Sequence, residues 1–513
     1  MRTQVAVAGA GPVGLLVAAE LAGHGVDTVV LEGRSVISLR PKATTLHARA
    51  VQCLARRGHL PQPLPGQSRG ATAGAFHFAG IQGLLITAPE TEPAPILKYP
   101  QAGLERLFED RARAAGVRVL REHWVTAIVQ DPDGVRITAE GPEGTVSCSA
   151  LYLVGADGAR STVREQAGID SDVHPATVSA LTGVVRLRDE GSLAPGWHRT
   201  PRGFVVARHD PDGSTHIRTL NCAAAHGGRH LPPSLEELSA EVSWIAGREI
   251  VMERARWVSR FSDFTRLSRT FRKGRVFLAG DAAHVHFPIG GQGLSTGVLD
   301  ALNLGWKLAL AVRGRAGSGL LDTYDLERRP AARRVVDNTR AQLALMRPLP
   351  EAHSLSAVFG GLLAADRGYL QDLISAQDTV YPGHTGSPSP WEGRFLPNAV
   401  LSTEAGETDV IGLLREGGPV LLLFGEEGRR HRAEAGQWAG TLRVVQALPA
   451  PGTPSGALLL RPDGYIAWAS EGGGPLAAAL SAYFAGRAPD EAGRAPADEL
   501  DGPSGGVHAL RFT

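Results

Sequence analysis

Apolar residues along this chain come in short β-branched runs and in helical stripes, and their alternation predicts an α/β protein. Val5 and Val7 with their small neighbours make a strand-length run, and Leu15 to Leu21 carry a small-residue helix pattern. Thr28-Val29-Val30-Leu31 reads as a second strand, closed by Glu32. After a loop at Arg40-Pro41-Lys42, the pattern from Leu46 predicts a helix ending near Gly58. Residues 61–97 mix Pro and Gly with runs such as Leu84-Leu85-Ile86, which predicts a small hairpin. A helix over 101–115 stops at Gly116, and strands follow at 117–120 and 125–129. Residues 134–138 and 146–150 read as a hairpin pair, and Leu151 to Gly155 as a buried strand running into Asp157-Gly158.

Between 178 and 265 the period changes. Strands at 184–188, 203–208 and 215–220, with a turn at 210–213, predict an antiparallel sheet inserted between two halves of the first domain. Leu235 to Ile245 reads as a helix with Ser234 as N-cap and Glu237 at the capping-box position. Arg275 to Ala279 is another strand, ending in Gly280-Asp281. A glycine-rich segment then opens a long helix through Asp300, Asn303, Trp306 and Lys307. Leu321 to Pro330 leads into a basic helix to Arg340, expected on the surface, and Tyr381 to Pro390 has linker composition. Beyond it come strands at 420–424, 442–446 and 457–460, a turn at Arg461-Pro-Asp-Gly464 with an edge strand, and a helix over 475–484.

Chemistry concentrates at the glycines. Gly9, Gly11 and Gly14 stand at GxGxxG spacing between a strand and a helix, with an acid, Glu32, at the end of the next strand. In a βαβ dinucleotide site the first glycine allows the tight turn and the second lets a pyrophosphate approach. The third lets helix and strand pack closely, and the acid accepts ribose hydroxyls. Asp157 can bond a ribityl or ribose hydroxyl or cap the following helix. His284 and His286 have no third ligand beside them, so no metal is expected.

Composition narrows the class. At 513 residues two or three domains are expected, and a formal net charge of +1 gives no reason to expect nucleic acid or an anionic membrane surface. Cys53, Cys148 and Cys222 are far apart without CxxC, which excludes a disulfide scaffold. With no secretory pattern before the first strand and no apolar run of about twenty residues, a cytoplasmic protein is expected.

The three stretches in series, GAGPVG with Glu32, Asp157-Gly158 and Gly280-Asp281 with its glycine-rich helix start, resemble the class A FAD-dependent aromatic hydroxylases typified by para-hydroxybenzoate hydroxylase. The likeness spans roughly residues 1–340. The remainder, with Arg394, Pro397 and RPDGYIAW, resembles the thioredoxin-like unit of the polyketide-hydroxylase branch. The resemblance implies a Rossmann-like FAD-binding domain (1–177 and 266–345), an inserted antiparallel-sheet substrate domain (178–265, with 73–97 contributing) and a helical connection and linker (346–390). A thioredoxin-like domain (391–487) without dithiol chemistry and a loose tail (488–513) would follow.

The resemblance also implies roles. Gly9, Gly11, Pro12, Val13 and Gly14 would hold the FAD pyrophosphate, and Glu32, with Gly33 and Arg34 beside it, the adenosine ribose. Gln101 would meet the ribityl–phosphate region, Val125 the adenine, and Asp157 with Gly158 both FAD and NAD(P)H. Gly280 and Asp281 would bind the ribityl chain. Pro288, Gly290, Gly291, Gly293, Leu294 and Ser295 would line the isoalloxazine, the N–H groups of Leu294 and Ser295 facing its pyrimidine side. Lys42 stands where the family carries an arginine, and Ser295 where it carries an asparagine. Expected partners are FAD, NADPH or NADH as transient co-substrate, molecular oxygen and an aromatic, polyketide-type substrate hydroxylated through the flavin, in a monomer or homodimer. No catalytic side chain is singled out. Baeyer–Villiger or antibiotic-inactivating oxygenation on the same scaffold, and a non-catalytic nucleotide-binding protein, are the alternatives.

Overall fold

The computed structural model describes residues 1–40, 42–61, 72–223, 231–366, 368–384 and 389–486. The tail expected from 488 and residues 385–388 of the expected linker lie outside them.

The chain opens with β1 (Arg2–Ala8), α1 (Pro12–Gly23) and β2 (Thr28–Glu32). α1 is apolar apart from Glu20, which is itself buried, and Leu15 to Ala18 and Leu21 are fully buried. A helix of that kind must be enclosed on every side. Next come β3 (Thr45–His47) and α2 (Ala48–Arg56), so Leu46 belongs to a strand and not to the helix expected there. The expected hairpin is β4 (Ala73–Phe78) with β5 (Ile81–Thr87), and β6 (Ile96–Lys98) pairs with β3. α3 (Gln101–Ala114), β7 (Arg118–Arg121), β8 (Trp124–Gln130), β9 (Val135–Gly141) and β10 (Gly144–Gly155) complete the first half. The two strands expected at 146–150 and 151–155 are one. The first half of β10 pairs antiparallel with β9 and the second half parallel with β1. Alternating and continuous apolar patterns therefore follow each other in a single strand.

α4 (Thr162–Gln166) and β11 (Ser171–His174) lead to the middle sheet. Its strands are β12 (Ser179–Leu187), β13 (Gly196–Thr200), β14 (Gly203–His209), β15 (Thr215–Asn221) and, after α5 (Leu235–Ala246), β16 (Met252–Ser262). All pairings are antiparallel, in the order β13-β14-β15-β12-β16. Sequence reading finds β12, β14 and β15 but neither edge strand, because β13 and β16 carry charged and half-exposed residues. Ser234 caps α5, while the Glu237 carboxylate is held bidentately by Arg260 at 2.7 and 2.8 Å.

β17 (Thr265–Ser268) pairs with β11 and with β20 (His284–Val285) in a small separate sheet, β18 (Arg272–Lys273) and β19 (Val276–Leu278) return the chain to the first sheet, and α6 (Gln292–Val312) follows. α7 (Asp322–Met346) follows, with Pro330 inside it. One side of its first turns is buried, which the surface helix expected there does not foresee, because Glu327 and Arg328 find their counter-charges inside the protein, while Asp322 and Leu326 on the other side are exposed. α8 (Pro350–Ala365) and α9 (Gly368–Ser375) pack against β5, and Leu363 and Ile374 join an apolar cluster with Phe78, Leu84, Phe204 and Phe287.

The last unit holds β21 (Val400–Thr403), β22 (Gly406–Asp409), α10 (Val410–Leu414), β23 (Val420–Phe424), α11 (Gly425–Arg429), α12 (His431–Glu434), β24 (Arg443–Ala447), β25 (Ala457–Leu460), β26 (Ile466–Ala469) and α13 (Leu476–Tyr483). The sheet order is β22-β21-β24-β23-β25-β26, and β23 at its centre is buried throughout. Among the described residues no helix is long and apolar enough to cross a membrane.

This unit meets the first through buried charge. Arg461 donates to both oxygens of Glu327 at 2.7 and 2.8 Å and to Asp463 at 3.0 and 2.6 Å. Lys307 and Asn303 of α6 donate to the same Glu327 oxygen at 2.8 and 2.6 Å. Burial alone would raise the Glu327 carboxyl, but Arg461 and Lys307 hold it well below its ordinary range. Removing one member strands the others in a low-dielectric interior. Glu327→Gln is therefore expected to destabilise the protein by roughly 3–5 kcal/mol, read as a lower urea midpoint, whereas Glu426→Gln in an exposed pair should change it by less than about 0.5 kcal/mol.

Candidate active site

One row of the first sheet gathers the three sequence motifs. Ala8 registers with Leu31 on one side and with Gly155 on the other, and Gly155 registers with Leu278. Four parallel strands thus end level, and the segments at 9–14, 32–34, 156–158 and 279–281 emerge together at their carboxyl ends. In a doubly wound sheet this is the ligand crevice.

The glycines do different jobs there. Gly9 has φ +100°, and a Cβ on it would overlap the carbonyl of Ala156; one on Gly14 would overlap the carbonyl of Gly9. A Cβ on Gly11 would meet nothing within 4 Å. Gly11 is the N-cap of α1, no side chain caps the helix and Pro12 occupies its first turn, so the first N–H groups are left for an external acceptor. Val13 lies against Gly280 and Gly297, locking the first motif to the third. The Glu32 carboxylate accepts the N–H of Ala10 at 2.7 Å and that of Arg34 at 2.9 Å, which fixes it beside the glycine turn. Gly33 sits under the exposed ring of Trp124, where any side chain would collide, and Val125 next to Trp124 is buried.

Two carboxylates remain with free oxygens. Asp157 accepts the Val163 N–H at 3.0 Å through Oδ2, so it does cap α4, together with Ser161. Its Oδ1 is buried with no partner, and burial pushes the carboxyl up. Gly158 beside it has φ +83°. Asp281 is walled in yet keeps accessible surface, the mark of a group lining a cleft. Burial raises its carboxyl, with His284 and Lys42 opposing, so Lys42 faces it electrostatically. The turn that carries Asp281 is held from behind. Asp300 of α6 accepts the Gly280 N–H at 3.0 Å, faces His284 Nε2 at 2.7 Å and accepts from Arg328 at 2.9 Å.

At the start of α6, Pro288 is exposed, and Gly290 and Gly291 take φ +72° and +62°, with Gly291 as a cap that offers no side chain. The N–H groups of Gly293 and Leu294 in the first turn thus lack an intrahelical acceptor. The Ser295 hydroxyl accepts the His47 N–H at 3.0 Å, and the His47 ring bonds the Gly290 carbonyl at 2.8 Å. Gln101 opens α3 with its N–H on the Ala43 carbonyl and its amide on Glu105 at 2.8 Å. A chain of rings leads away from this segment. His47 meets Phe76 at 5.0 Å, Phe76 stacks on His77 at 4.9 Å, and His77 meets Trp197 at 5.0 Å. Burial holds His47, His77 and His286 neutral down to about 4.

The segments carrying Gly9 to Gly14, Glu32 to Arg34, Asp157 with Gly158, and Gly280 with Asp281 meet at this crevice, whereas His47, Phe76, His77, Trp197, Asp300 and Arg328 beside it were not read from the sequence. The ring pocket depends on pairing between distant strands, which no local pattern encodes. The two uncapped glycine-led helices and the free oxygens of Asp157 and Asp281 fit a phosphate- and hydroxyl-rich ligand such as FAD. Among the described residues no group of His, Cys, Asp or Glu is arranged to hold a metal.

Comparison with known proteins agrees. Residues 2–339 match the FAD binding domain family, and residues 389–488 match the aromatic-ring hydroxylase C-terminal family. The chain is 38% identical over 490 residues to the 12-dehydrotetracycline 5-monooxygenase/anhydrotetracycline 6-monooxygenase of Streptomyces rimosus, covering 91% of this chain and 95% of that one. It is 36% identical over 504 residues to the rifampicin monooxygenase of Rhodococcus hoagii, covering 96% and 100%. The solved anhydrotetracycline hydroxylase of Streptomyces rimosus superposes with a TM-score of 0.85 at 36% identity, covering 95% of this chain and 100% of that one.

Two outcomes are expected. Gly11→Ala, which meets no protein atom, should leave the urea midpoint of the FAD-free protein within about 1 kcal/mol but weaken FAD binding, whereas Gly14→Ala should lower both. Titration of FAD into each variant, with unfolding alongside, separates them. For pH, His47 takes its proton near 4 when folded and near 6.5 when unfolded. Above 6.5 neither state binds it; between 6.5 and 4 only the unfolded chain does, so stability falls as pH falls through that window. His47→Asn should make the slope of stability against pH shallower by up to about one proton, read from urea midpoints across the window.

Proposed function

This chain belongs to the FAD-dependent aromatic-ring hydroxylases and is a monooxygenase of that family, and on that premise we propose that it hydroxylates a polycyclic, polyketide-type aromatic at the expense of NAD(P)H. The observation that carries this reading is the chain of aromatic rings that links the Gly290–Gly291 segment to the middle sheet. A flat, extended substrate suits walls of that kind.

The crevice would hold FAD as follows. The N–H groups at the start of α1, exposed by Gly11, take the pyrophosphate, and Glu32 takes the adenosine ribose near Trp124 and Val125. Asp281, with Lys42 opposite it, takes the ribityl hydroxyls. Asp157 offers its free oxygen to FAD or to the arriving nicotinamide cofactor, and Gln101 stands at the α3 end. Pro288 to Leu294 lie along the ring system. FAD supplies the reduction by NAD(P)H and the activation of oxygen; the protein contributes position, exclusion of water and charge. The first-turn N–H groups of α6 favour negative charge on whatever abuts them. Neutral His47 is fixed by Ser295 and Gly290, so it shapes the pocket without adding charge.

The rifampicin-active relative gives a second reading, oxygenation that inactivates an antibiotic, and the same pocket would serve it. The deciding experiment is NADPH oxidation in air by the FAD-loaded protein, with and without hydroxylated anthraquinones, tetracycline precursors and rifamycins, followed by product mass. Substrate-stimulated oxidation and a product one oxygen heavier with its aromatic ring intact are expected. Stimulation by rifamycins alone would favour the second reading, ring expansion or opening would favour Baeyer–Villiger oxygenation, and a protein that takes up no FAD would overturn all three.

A further inference from the structure

The hairpin that carries the Phe76 and His77 rings turns in a conformation its own residues do not favour. Phe78 registers with Ile81, so Ala79 and Gly80 form the turn between β4 and β5. Both have positive φ, +53° and +81°, as in the two-residue turns that favour Asn, Asp or Gly in first place. Alanine in the left-handed region carries strain and persists only where its surroundings fix it. Ala79 is buried, and its N–H donates to Gln342 Oε1 of α7 at 3.0 Å. A Cβ on Gly80 would lie 3.1 Å from the Trp197 ring. The turn is thus wedged between the middle sheet and α7.

Gln342 opens a line of three buried side-chain amides whose direction is fixed at both ends. A backbone N–H can only donate, so Gln342 receives Ala79 through its oxygen and turns its Nε2 to Asn338 Oδ1 at 3.4 Å. Asn338 Nδ2 donates to Gln292 Oε1 at 2.6 Å, and Gln292 Nε2 donates to the Leu373 and Ile374 carbonyls at 3.3 and 3.4 Å. Those carbonyls can only accept, so the far end demands the same orientation. Gln292 is the first residue of α6, directly after the Gly290–Gly291 turn. Gln342 also reaches that turn itself: a Cβ on Gly290 would lie 3.2 Å from its Nε2. From the other side the His47 ring holds the Gly290 carbonyl. Gln292, Asn338 and Gln342 are 3%, 5% and 0% exposed, so an amide stripped of its partner would meet no solvent.

We propose that Gln342 is a positioning residue for the flavin. It ties the β4–β5 turn to the Gly290–Gly291 turn along the isoalloxazine, so that the ring-bearing hairpin and the flavin's bed keep one relative placement. The inference rests on the monooxygenase reading only for what lies against the two turns. An amide suits the place because it accepts and donates at once and carries no charge, whereas a carboxylate or an ammonium there would be an unpaired buried ion.

The test reads amide hydrogen exchange in the FAD-free, full-length protein. In the wild type the turn at 79–80 and the segment at 290–293 are expected to open with one free energy and one dependence on urea. Gln342→Met, which fills the space without a hydrogen-bonding group, should speed exchange about tenfold at both places and leave Val5 to Val7 of β1 unchanged. Gln342→Glu in mild acid, where a buried carboxyl keeps its proton and can both accept and donate, should restore slow exchange at both. Once FAD is added, the visible circular dichroism of the bound flavin should weaken in Gln342→Met and recover in Gln342→Glu. Separate opening of the two segments in the wild type would overturn the proposal, and that comparison decides even where Gln342→Met does not fold. Faster exchange at one segment alone, a rise that extends to β1, or an unaltered flavin signal would overturn it too. FAD uptake, scored by absorption on the same samples, reports on the monooxygenase reading separately, and the exchange results stand without it.

Discussion

Asp300 carries a carboxylate in the buried interior, and three donors hold it there: the Gly280 backbone, His284 and Arg328. Burial alone would drive a proton onto it, but His284 and Arg328 reverse that and keep it below the ordinary carboxylate range. Because one of the three donors is the N–H of Gly280, the position of Asp281 next to it depends on this charge. The linkage continues outward. Arg328 donates to Tyr381 at 3.1 Å, Tyr381 stacks on Tyr465 at 4.1 Å, and the Arg461 guanidinium lies over both rings. The cofactor turn and the last unit are therefore parts of one buried electrostatic assembly.

α2 provides the second tie. It is short and fully buried, and the arginines at or beside its ends all leave it for other elements. Arg49 donates to the carbonyls of Ala376 and Gln377 and lies over Phe395 at 3.6 Å. Arg56 grips Glu92 bidentately and the Leu396 carbonyl. Arg57 bridges Glu20 of α1 to the Leu414 carbonyl. Arginine suits these places because its planar fork satisfies several acceptors at once and its face stacks on rings. Few of these bonds need be worth much singly. Their consequence is geometric: α1, the helix that carries the glycine turn, is braced from the side opposite the crevice. A unit without redox cysteines thus has a physical reason to be attached to an oxidoreductase.

What the sequence displayed and what it hid divide along physical lines. The glycine turns were legible because backbone conformation and close packing at Gly9 and Gly14 allow no other residue, so the constraint is written locally. Asp157 and Asp281 were legible because each ends a buried strand with a short acid and a glycine. The edge strands β13 and β16 were hidden by exposed charge, and the junction inside β10 by a change of pairing partner within one strand. The burial of α7 was hidden because Glu327 and Arg328 look like surface residues until their partners at 461 and 300 are known. Ion pairs between residues far apart in sequence leave no periodic trace.

The same division explains how a shared framework can serve different substrates. Residues of the crevice are fixed by the row in which Ala8, Leu31, Gly155 and Leu278 align, and altering them disturbs the sheet itself. Residues of the pocket, such as Trp197 and Arg218, alternate along the middle strands with positions such as Ile217 that pack beneath α5. In a strand with a period of two, one face can be rewritten while the other keeps the core. Selectivity can therefore drift without touching cofactor binding, and relatives of similar identity act on compounds as different as anhydrotetracycline and rifampicin.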